Sequence, residues 1–174
     1  MKRIFLIGYM GSGKTTLGKA FARAMQLQFI DLDWYIEERF HQTIQDLFDE
    51  RKEAGFREIE RNMLHEVAEF ENVVIACGGG TPCFFDNVEY MNQKGDTVFL
   101  NTSIEVLFRR LKASRSKRPL LKDKSDDTLK KVIQDALRIR CPFYLQAKYV
   151  FNADSLEDRE QISGSVERLK ALLI

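Results

Sequence analysis

The sequence predicts an α/β protein of three layers, in which helices cover both faces of a central parallel sheet. Short β-rich segments alternate along the chain with longer helical segments, and this alternation is typical of strands joined by helical crossovers. The chain has 174 residues, close to the size of one ordinary domain. It contains neither an internal repeat nor a low-complexity linker. We therefore expect a single domain over residues 1–174.

Five segments are predicted to form the strands of the sheet. They are residues 3–7, 28–31, 73–77, 97–100 and 148–151. Eight other segments are predicted to be helices. They are residues 14–25, 34–40, 44–50, 56–70, 84–94, 104–112, 127–139 and 156–173. In the last of these, Ile162, Val166 and Leu169 recur at close to the 3.6-residue period of a helix with one buried face.

Composition and charge exclude several classes of protein. Lys and Arg number 27 against 26 Asp and Glu, which lacks the basic excess that a nucleic-acid partner demands. No apolar run approaches the roughly 20 residues of a membrane helix, and residues 4–7 are too short a run for a signal-peptide core. The three cysteines form no C-x-x-C pair, which favours reduced thiols. We predict a cytoplasmic protein without nucleic-acid or membrane partners.

The first predicted strand is followed by GYMGSGKT at residues 8–15, which matches the phosphate-binding pattern G-x-x-x-x-G-K-[ST]. Glycines allow backbone N–H groups to converge on phosphate oxygens, and the next helix points its positive N-terminus at the same anion. Lys14 is predicted to contact the β- and γ-phosphates, and the Thr15 hydroxyl to ligate Mg²⁺. The motif indicates a nucleotide, but it leaves open a kinase, an ATPase, a GTP switch or a nucleotide-gated binder.

Two aspartates end the second predicted strand, in the sequence DLD at residues 31–33. Alternate residues of a strand face the same side, and ligands of open parallel sheets bind beyond the carboxyl ends of the strands. Asp31 is therefore predicted to hold Mg²⁺ through water, and Asp33 to orient a substrate hydroxyl or accept its proton. The alternative is that one or both cap the next helix, a common role for aspartate.

Three consecutive glycines, Gly78, Gly79 and Gly80, follow the third predicted strand. Because glycine leaves the backbone bare, a ligand can approach its N–H groups closely. We predict that this run, called the glycine wall below, borders a ligand site. The alternative is a flexible turn before the next helix, with Pro82 near the first turn of that helix.

Charge is distributed unevenly along the chain. Residues 31–71 contain 13 acidic and 5 basic side chains, whereas residues 109–124 contain 8 basic and one acidic. A solvated surface loop is the usual fate of such a basic run. The alternative is a mobile lid that brings arginines to a polyphosphate.

Six separated motifs, taken in order over nearly the whole chain, resemble those of the shikimate kinase family. They are GYMGSGKTT at 8–16, DLD at 31–33, GFR at 55–57, GGG at 78–80, RPLL at 118–121 and RCPFY at 140–144. The resemblance implies a P-loop kinase fold with a five-stranded parallel sheet, a mobile lid at about 110–125 and a substrate-binding helical segment at about 33–61. It further implies transfer of the γ-phosphoryl group of ATP to the 3-hydroxyl of shikimate, with Mg²⁺, in chorismate and aromatic amino acid biosynthesis.

The resemblance also implies roles for single residues. The phosphate cradle would comprise Gly11, Ser12, Gly13, Lys14, Thr15 and Thr16, and the magnesium ligands Thr15 and Asp31. The shikimate site would comprise Asp33, Arg57, Gly79 and Arg140, with Gly78 and Gly80 beside them. Two arginines on separate elements can hold the ring carboxylate. Arg118 matches a lid arginine that reaches ATP, and Arg110 an arginine that packs on adenine. Lys14, Asp33 and Arg118 are then the predicted catalytic residues.

Other interpretations of these residues stay open at this point. Arg57 lies between Glu53 and Glu60 and could form an ordinary ion pair on a helix surface. Arg140 precedes Pro142, where a helix is expected to end, and could pair with a helix C-terminus. At the level of function, the rivals are a kinase for gluconate or a nucleoside monophosphate and a catalytically idle nucleotide-binding module. We expect a monomer in each case.

Overall fold

Five parallel strands form one sheet in the computed structural model of this chain, which describes residues 2–118 and 121–174. The strands are β1 (Arg3–Ile7), β2 (Gln28–Asp31), β3 (Val73–Ala76), β4 (Asp96–Asn101) and β5 (Tyr149–Asn152). Their order across the sheet is β2-β3-β1-β4-β5, and every neighbouring pair is parallel. The five predicted strands are confirmed, with ends that differ from the prediction by no more than one residue.

Within the part of the chain that the structure describes, seven α-helices cover the sheet. They are α1 (Lys14–Met25), α2 (Leu32–Phe40), α3 (Ile44–Val67), α4 (Asn87–Lys94), α5 (Ile104–Ala113), α6 (Asp126–Tyr144) and α7 (Arg159–Leu173). Short 3-10 helices lie at Thr81–Cys83 and Arg115–Lys117. No helix within the described residues is long and apolar enough to cross a membrane.

The side chains of β1 alternate between two hydrophobic cores. Phe5 and Ile7 belong to the core on one face of the sheet, and Ile4 and Leu6 to the core on the other. All four are buried, as expected for a central strand whose alternate residues point to opposite faces. Each such side chain contributes about 1.5–3 kcal/mol by leaving water. The predicted three-layer α/β architecture is confirmed.

Helix α3 replaces two helices that were predicted separately at residues 44–50 and 56–70. It begins with a capping box, in which Thr43 accepts from the backbone N–H of Asp46 and the Asp46 side chain accepts from that of Thr43. A kink falls at Lys52, whose φ of 59° and ψ of 179° are not helical. The break between the two predicted segments is therefore real, but the chain resumes the helix at once and ends it at Val67.

Helix α6 runs five residues past its predicted end at residue 139 and contains Pro142. Proline removes one backbone donor from a helix and usually marks its end. Here Tyr144 lies in the core with no exposed surface, and its hydroxyl donates to the Gly79 carbonyl at 2.6 Å. These tertiary contacts hold the last turn in place, so the helix ending predicted before Cys141 and Pro142 was wrong.

Three helix starts also differ from the prediction. Helix α2 begins at Leu32 rather than residue 34, because Asp31 caps it. Helix α4 begins at Asn87 rather than residue 84, after a residue with φ of 50° at Phe85. Helix α7 begins at Arg159 rather than residue 156, where Asp158 accepts from the Gln161 N–H. Each helix start is decided by a cap or by a local backbone conformation, and apolar periodicity reveals neither of them.

Candidate active site

The phosphate-binding loop connects the end of β1 to the start of α1. Gly13 is the N-cap of α1 and has φ of 95°, which an L side chain rarely adopts, and a Cβ there would collide with the Leu156 side chain. The loop therefore delivers the free N–H groups of α1 to the carboxyl end of the sheet. This is the local structure that the motif predicts.

Lys14 lies within this loop. Its Nζ donates to the carbonyls of Gly8 at 2.8 Å and Tyr9 at 2.9 Å. Burial lowers the pKa of Lys14 to about 8, against the opposing attraction of the Asp33 carboxylate. A polyphosphate beside Lys14 would raise this pKa again, because an anion stabilises an ammonium group.

Asp31 takes the capping role, one of the two roles that the sequence left as alternatives, and its second carboxylate oxygen faces Thr15. Its Oδ1 accepts from the backbone N–H of Asp33 at 3.1 Å and of Trp34 at 3.3 Å, so it caps α2. Its Oδ2 accepts from the Thr15 hydroxyl at 3.1 Å. The expected strand geometry for the pair was wrong, since Asp33 lies in the first turn of α2 and not on the strand. The two carboxylates nevertheless border the same cleft.

Asp33 has the most altered acidity of the carboxylates in the cleft. The pKa of Asp33 is raised to about 6, chiefly by burial and also by the charges of Asp31 and Glu60, while Lys14 opposes the shift. A carboxyl with a pKa near 6 is suited to receive a proton from a substrate hydroxyl close to neutral pH. The charged form of Asp33 also lowers the stability of the folded protein, because burial removes the carboxylate from water.

Asp33→Asn is expected to raise the free energy of unfolding at pH 8 by up to about 3 kcal/mol. Because the folded pKa lies above the unfolded one, the folded state binds more protons between pH 3.8, the ordinary pKa of an aspartate, and about pH 6. Wild-type stability therefore falls as pH rises through that window, and the amide variant escapes this loss. Urea unfolding of both proteins at several pH values measures the difference.

The gain in unfolding free energy of Asp33→Asn should shrink as the pH is lowered from 6 towards 4, because the wild-type carboxyl takes up its proton in that range. Asp123→Asn, at an exposed carboxyl, is the matched control and should show no such trend. A gain for Asp33→Asn that is independent of pH, or a loss of stability at pH 8, would contradict the proposed cost of this carboxylate.

The glycine wall brings three predicted substrate-binding groups together. A Cβ on Gly78 would lie 3.0 Å from Asp33 Oδ1, and one on Gly79 would lie 3.1 Å from Arg140 Nη1. A Cβ on Gly80 would lie 2.6 Å from Arg57 Nη2. Because glycine has no Cβ, a different charged side chain approaches the backbone at each of these positions more closely than it could at any other residue type. Charged groups from α2, α3 and α6 therefore pack against the glycine wall.

Arg57 takes part in a buried network rather than in an ion pair on the helix surface. Its Nη1 donates to Glu60 Oε1 at 2.9 Å, with side-chain exposures of 10% and 1%, and a longer contact of 3.5 Å reaches exposed Glu53. The other Glu60 oxygen accepts from the Thr81 hydroxyl at 2.8 Å. Sequence reasoning did not assign a role to Glu60 or Thr81. The i, i+3 spacing of Arg57 and Glu60 was the available signal.

Arg140 lies on α6, with its guanidinium 5.6 Å from the centre of the Tyr9 ring. The alternative that it pairs with a helix C-terminus was wrong, because α6 continues to Tyr144 and has no basic residue in its last turn. Tyr144 holds the Gly79 carbonyl, so α6 positions both Arg140 and the glycine wall.

The two predicted nucleotide arginines both line the cleft but differ in their partners. Arg110 donates to the carbonyls of Gly11, Ala153 and Asp154 at 3.0–3.2 Å and to Glu157 at 2.9 Å. Within the described residues, the side chain of Arg118 makes one hydrogen bond, from Nε to Ser114 Oγ at 3.2 Å. Pro119 and Leu120 of the predicted RPLL motif lie outside the described residues.

A single cleft of about 650 Å³ contains most of the predicted residues. Those lining it are Gly11, Gly13, Lys14, Thr15, Thr16, Asp31, Asp33, Gly78, Gly79, Arg110 and Arg118. Four predicted residues do not line it, namely Ser12, Arg57, Gly80 and Arg140. The cleft is also lined by residues that were not predicted, namely Met10, Trp34, Glu37, Ala76, Cys77, Ser114, Leu156 and Glu157. In this protein the first strand of a parallel sheet leads into a phosphate-binding loop, and the other half of the cleft is lined by acidic side chains. These features define a P-loop kinase.

Comparisons with known proteins agree with this class and narrow it. The family model described as shikimate kinase matches residues 10–170. The shikimate kinase of Bacteroides thetaiotaomicron is 67% identical to this chain, and the match covers 99% of both chains. A crystal structure of shikimate kinase from the same organism superposes with a TM-score of 0.97 and covers 99% of this chain and 98% of that chain. A structure of shikimate kinase from Acinetobacter baumannii in complex with shikimate is 32% identical and covers 99% of this chain and 93% of that chain, with a TM-score of 0.85.

The chain therefore belongs to the shikimate kinase family. It is an ATP-dependent phosphotransferase, and the family and enzyme class predicted from the six motifs are confirmed.

Proposed function

We propose that the enzyme binds ATP in the 650 Å³ cleft and shikimate against the glycine wall at the edge of that cleft, and transfers the γ-phosphoryl group to the shikimate 3-hydroxyl, giving shikimate 3-phosphate and ADP. The observation that carries this proposal is the glycine wall. It packs one carboxylate and two guanidinium groups beside the phosphate-binding loop, and these are the groups that a hydroxylated ring acid requires.

The nucleotide half of the cleft is assigned to the phosphate-binding loop and the start of α1. The N–H groups of residues 11–16 would bind the phosphates, and Lys14 would exchange its loop carbonyls for the β- and γ-phosphate oxygens. Arg110 holds this loop against the segment after β5, and we assign the adenine to that side of the cleft.

The Thr15 hydroxyl and the Asp31 carboxylate fit a magnesium ion. They are two oxygen groups already 3.1 Å apart at the nucleotide end of the cleft. Magnesium in kinases is bound by one or two protein oxygens, with nucleotide phosphates and water completing the shell. Within the described residues no group of three or more His, Cys, Asp or Glu side chains is placed to hold a metal, so the nucleotide would supply most of the ligands. When bound, the ion neutralises charge on the β- and γ-phosphates.

The shikimate half is assigned to the glycine wall and the side chains behind it. Arg57 and Arg140 would hold the ring carboxylate from two separate helices, which fixes the orientation of the ring as well as its position. Asp33, with its raised pKa, would then orient the 3-hydroxyl towards the γ-phosphate and can accept its proton as the phosphoryl group arrives.

Arg118 lines the nucleotide half and is assigned to the transferring phosphoryl group. Burial is the main cause of the lowered pKa of Lys14, and the charge of Arg118 adds a smaller effect in the same direction, as expected for two cations that face the same cleft. The lid at about 110–125, the substrate-binding segment at about 33–61 and the monomeric state remain predictions. Of the proposed lid, residues 110–113 belong to α5.

ADP release from the purified protein with MgATP tests the reaction. Strong turnover is expected with shikimate and background turnover with gluconate or AMP as parallel acceptors. Turnover with one of the other acceptors instead would keep the phosphate site and overturn the roles of Arg57 and Arg140. ATP binding without turnover on any acceptor would favour an idle nucleotide-binding module.

A further inference from the structure

Phe84 lies four residues after the glycine wall and against the guanidinium group of Arg57. Arg57 Cζ is 4.1 Å from the centre of the Phe84 ring, closer than to the rings of Phe56 at 5.3 Å and Phe48 at 5.6 Å. A guanidinium within about 6 Å of an aromatic ring centre is attracted to the π electrons, more strongly where water is excluded. Arg57 is 8% exposed, so this attraction acts on a charge that is almost out of water.

The protein leaves several donors of Arg57 free. Nη1 donates to Glu60, Nη2 is 3.5 Å from Glu53, and Nε is buried with no hydrogen-bond partner among the described residues. A guanidinium has five N–H donors, so further carboxylates could have fixed it. They would have consumed those donors and repelled an anionic substrate. The face of an aromatic ring attracts the cation but leaves the N–H donors in the plane of the guanidinium free, and it adds no negative charge.

We propose that Phe84 is a positioning residue that holds the Arg57 guanidinium ready for the carboxylate of shikimate. This inference rests on the proposed role of Arg57 in binding that carboxylate. Phe84 acts through Arg57 and lines neither the phosphate-binding loop nor the cleft. Removing its ring should therefore weaken shikimate binding and leave the phosphoryl-transfer step intact.

The test compares a non-aromatic with an aromatic substitution. Phe84→Leu is expected to raise the dissociation constant and the KM for shikimate by about 5- to 30-fold. The kcat and the KM for ATP should stay within about twofold of wild type, since no transition-state contact is lost. Phe84→Tyr keeps the ring and should restore shikimate binding to within about threefold of wild type. Phe84→Met also removes the ring, with a side chain that adapts to irregular space, and replaces Phe84→Leu if that variant does not fold.

Phe85→Leu is the matched control. Phe85 is the next residue, 53% exposed, and its ring lies 5.0 Å from the guanidinium of Arg61 on the surface. The same substitution there should leave the KM for shikimate unchanged. Equal effects at the two positions, equal effects of the leucine and tyrosine substitutions at Phe84, or a parallel loss of kcat and ATP affinity would overturn the inference.

Arg57→Ala separates this inference from the proposed function. If Arg57→Ala weakens shikimate binding and Phe84→Leu does not, only the role of Phe84 fails. If Arg57→Ala has no effect on shikimate binding, the proposed role of Arg57 fails and the inference fails with it. In the double variant, Phe84→Leu should add less than about twofold to the loss caused by Arg57→Ala, because the two residues act as one unit.

Discussion

Arg118→Ala is expected to lower kcat by about 10³-fold, the lower end of what an arginine on a transferring phosphoryl group contributes. The dissociation constants for shikimate and ATP should change by less than about threefold, because the interaction forms as charge develops in the transition state. Arg118 is suited to this role because it lines the cleft and its guanidinium makes only one hydrogen bond within the described residues, to Ser114. Single-turnover kinetics, together with equilibrium binding of each substrate, measure the two effects separately.

Two further variants make the Arg118 experiment specific. Arg118→Lys keeps the charge but loses the planar set of donors, so its kcat should fall between those of the wild type and the alanine variant. Lys117→Ala removes an exposed charge from the adjacent position and should leave kcat near wild type. Wild-type turnover in Arg118→Ala would remove Arg118 from the catalytic site. An equal loss in Lys117→Ala would instead indicate a general effect of positive charge.

Arg57→Ala is expected to weaken shikimate binding by about two orders of magnitude, since truncating one partner of a buried, hydrogen-bonded charge pair costs about 2–5 kcal/mol. ATP affinity should change little, because Arg57 does not line the cleft beside the phosphate-binding loop. The same substitution leaves the Glu60 carboxylate buried with Thr81 as its remaining partner, so a lower melting temperature is also expected. Isothermal titration with each ligand and a thermal melt distinguish the two consequences.

Arg57→Lys and Arg61→Ala serve as the comparisons. The lysine keeps a cation beside Glu60, so it should recover much of the stability and only part of the shikimate affinity. Arg61 lies one turn further along α3, where it is 3.5 Å from Asp86 on the surface, and its removal should alter neither binding nor stability appreciably. Unchanged shikimate affinity in Arg57→Ala would remove Arg57 from the substrate site.

The part of this molecule that could be predicted from sequence is the part built from consecutive residues. The loop at residues 8–15 has its structure because glycines, a helix start and Lys14 follow one another, and no distant residue is needed to explain it. The strands could be predicted for the same reason, since a short apolar run such as residues 4–7 is a local pattern. The family followed from the order of six such local motifs.

Elements whose form depends on distant partners were predicted less well. The end of α6 was placed too early because Pro142 is a local stop signal, whereas Tyr144 is held by the core and by the Gly79 carbonyl. Asp31 and Asp33 were given strand geometry because their spacing allows it. The cap that Asp31 makes to α2 changes the geometry of both.

By itself, the sequence determined the three-layer α/β fold, the phosphate-binding loop and the family, because each depends on short-range order along the chain. Only the tertiary structure decided that Arg57 and Glu60 form a buried pair rather than a surface pair. Their i, i+3 spacing is the same in both cases, whereas burial depends on Thr81, Phe84 and the glycine wall, which come from another part of the chain. The physical reason is that desolvation and electrostatic environment are properties of the packed surroundings of a charge, which a local pattern does not specify.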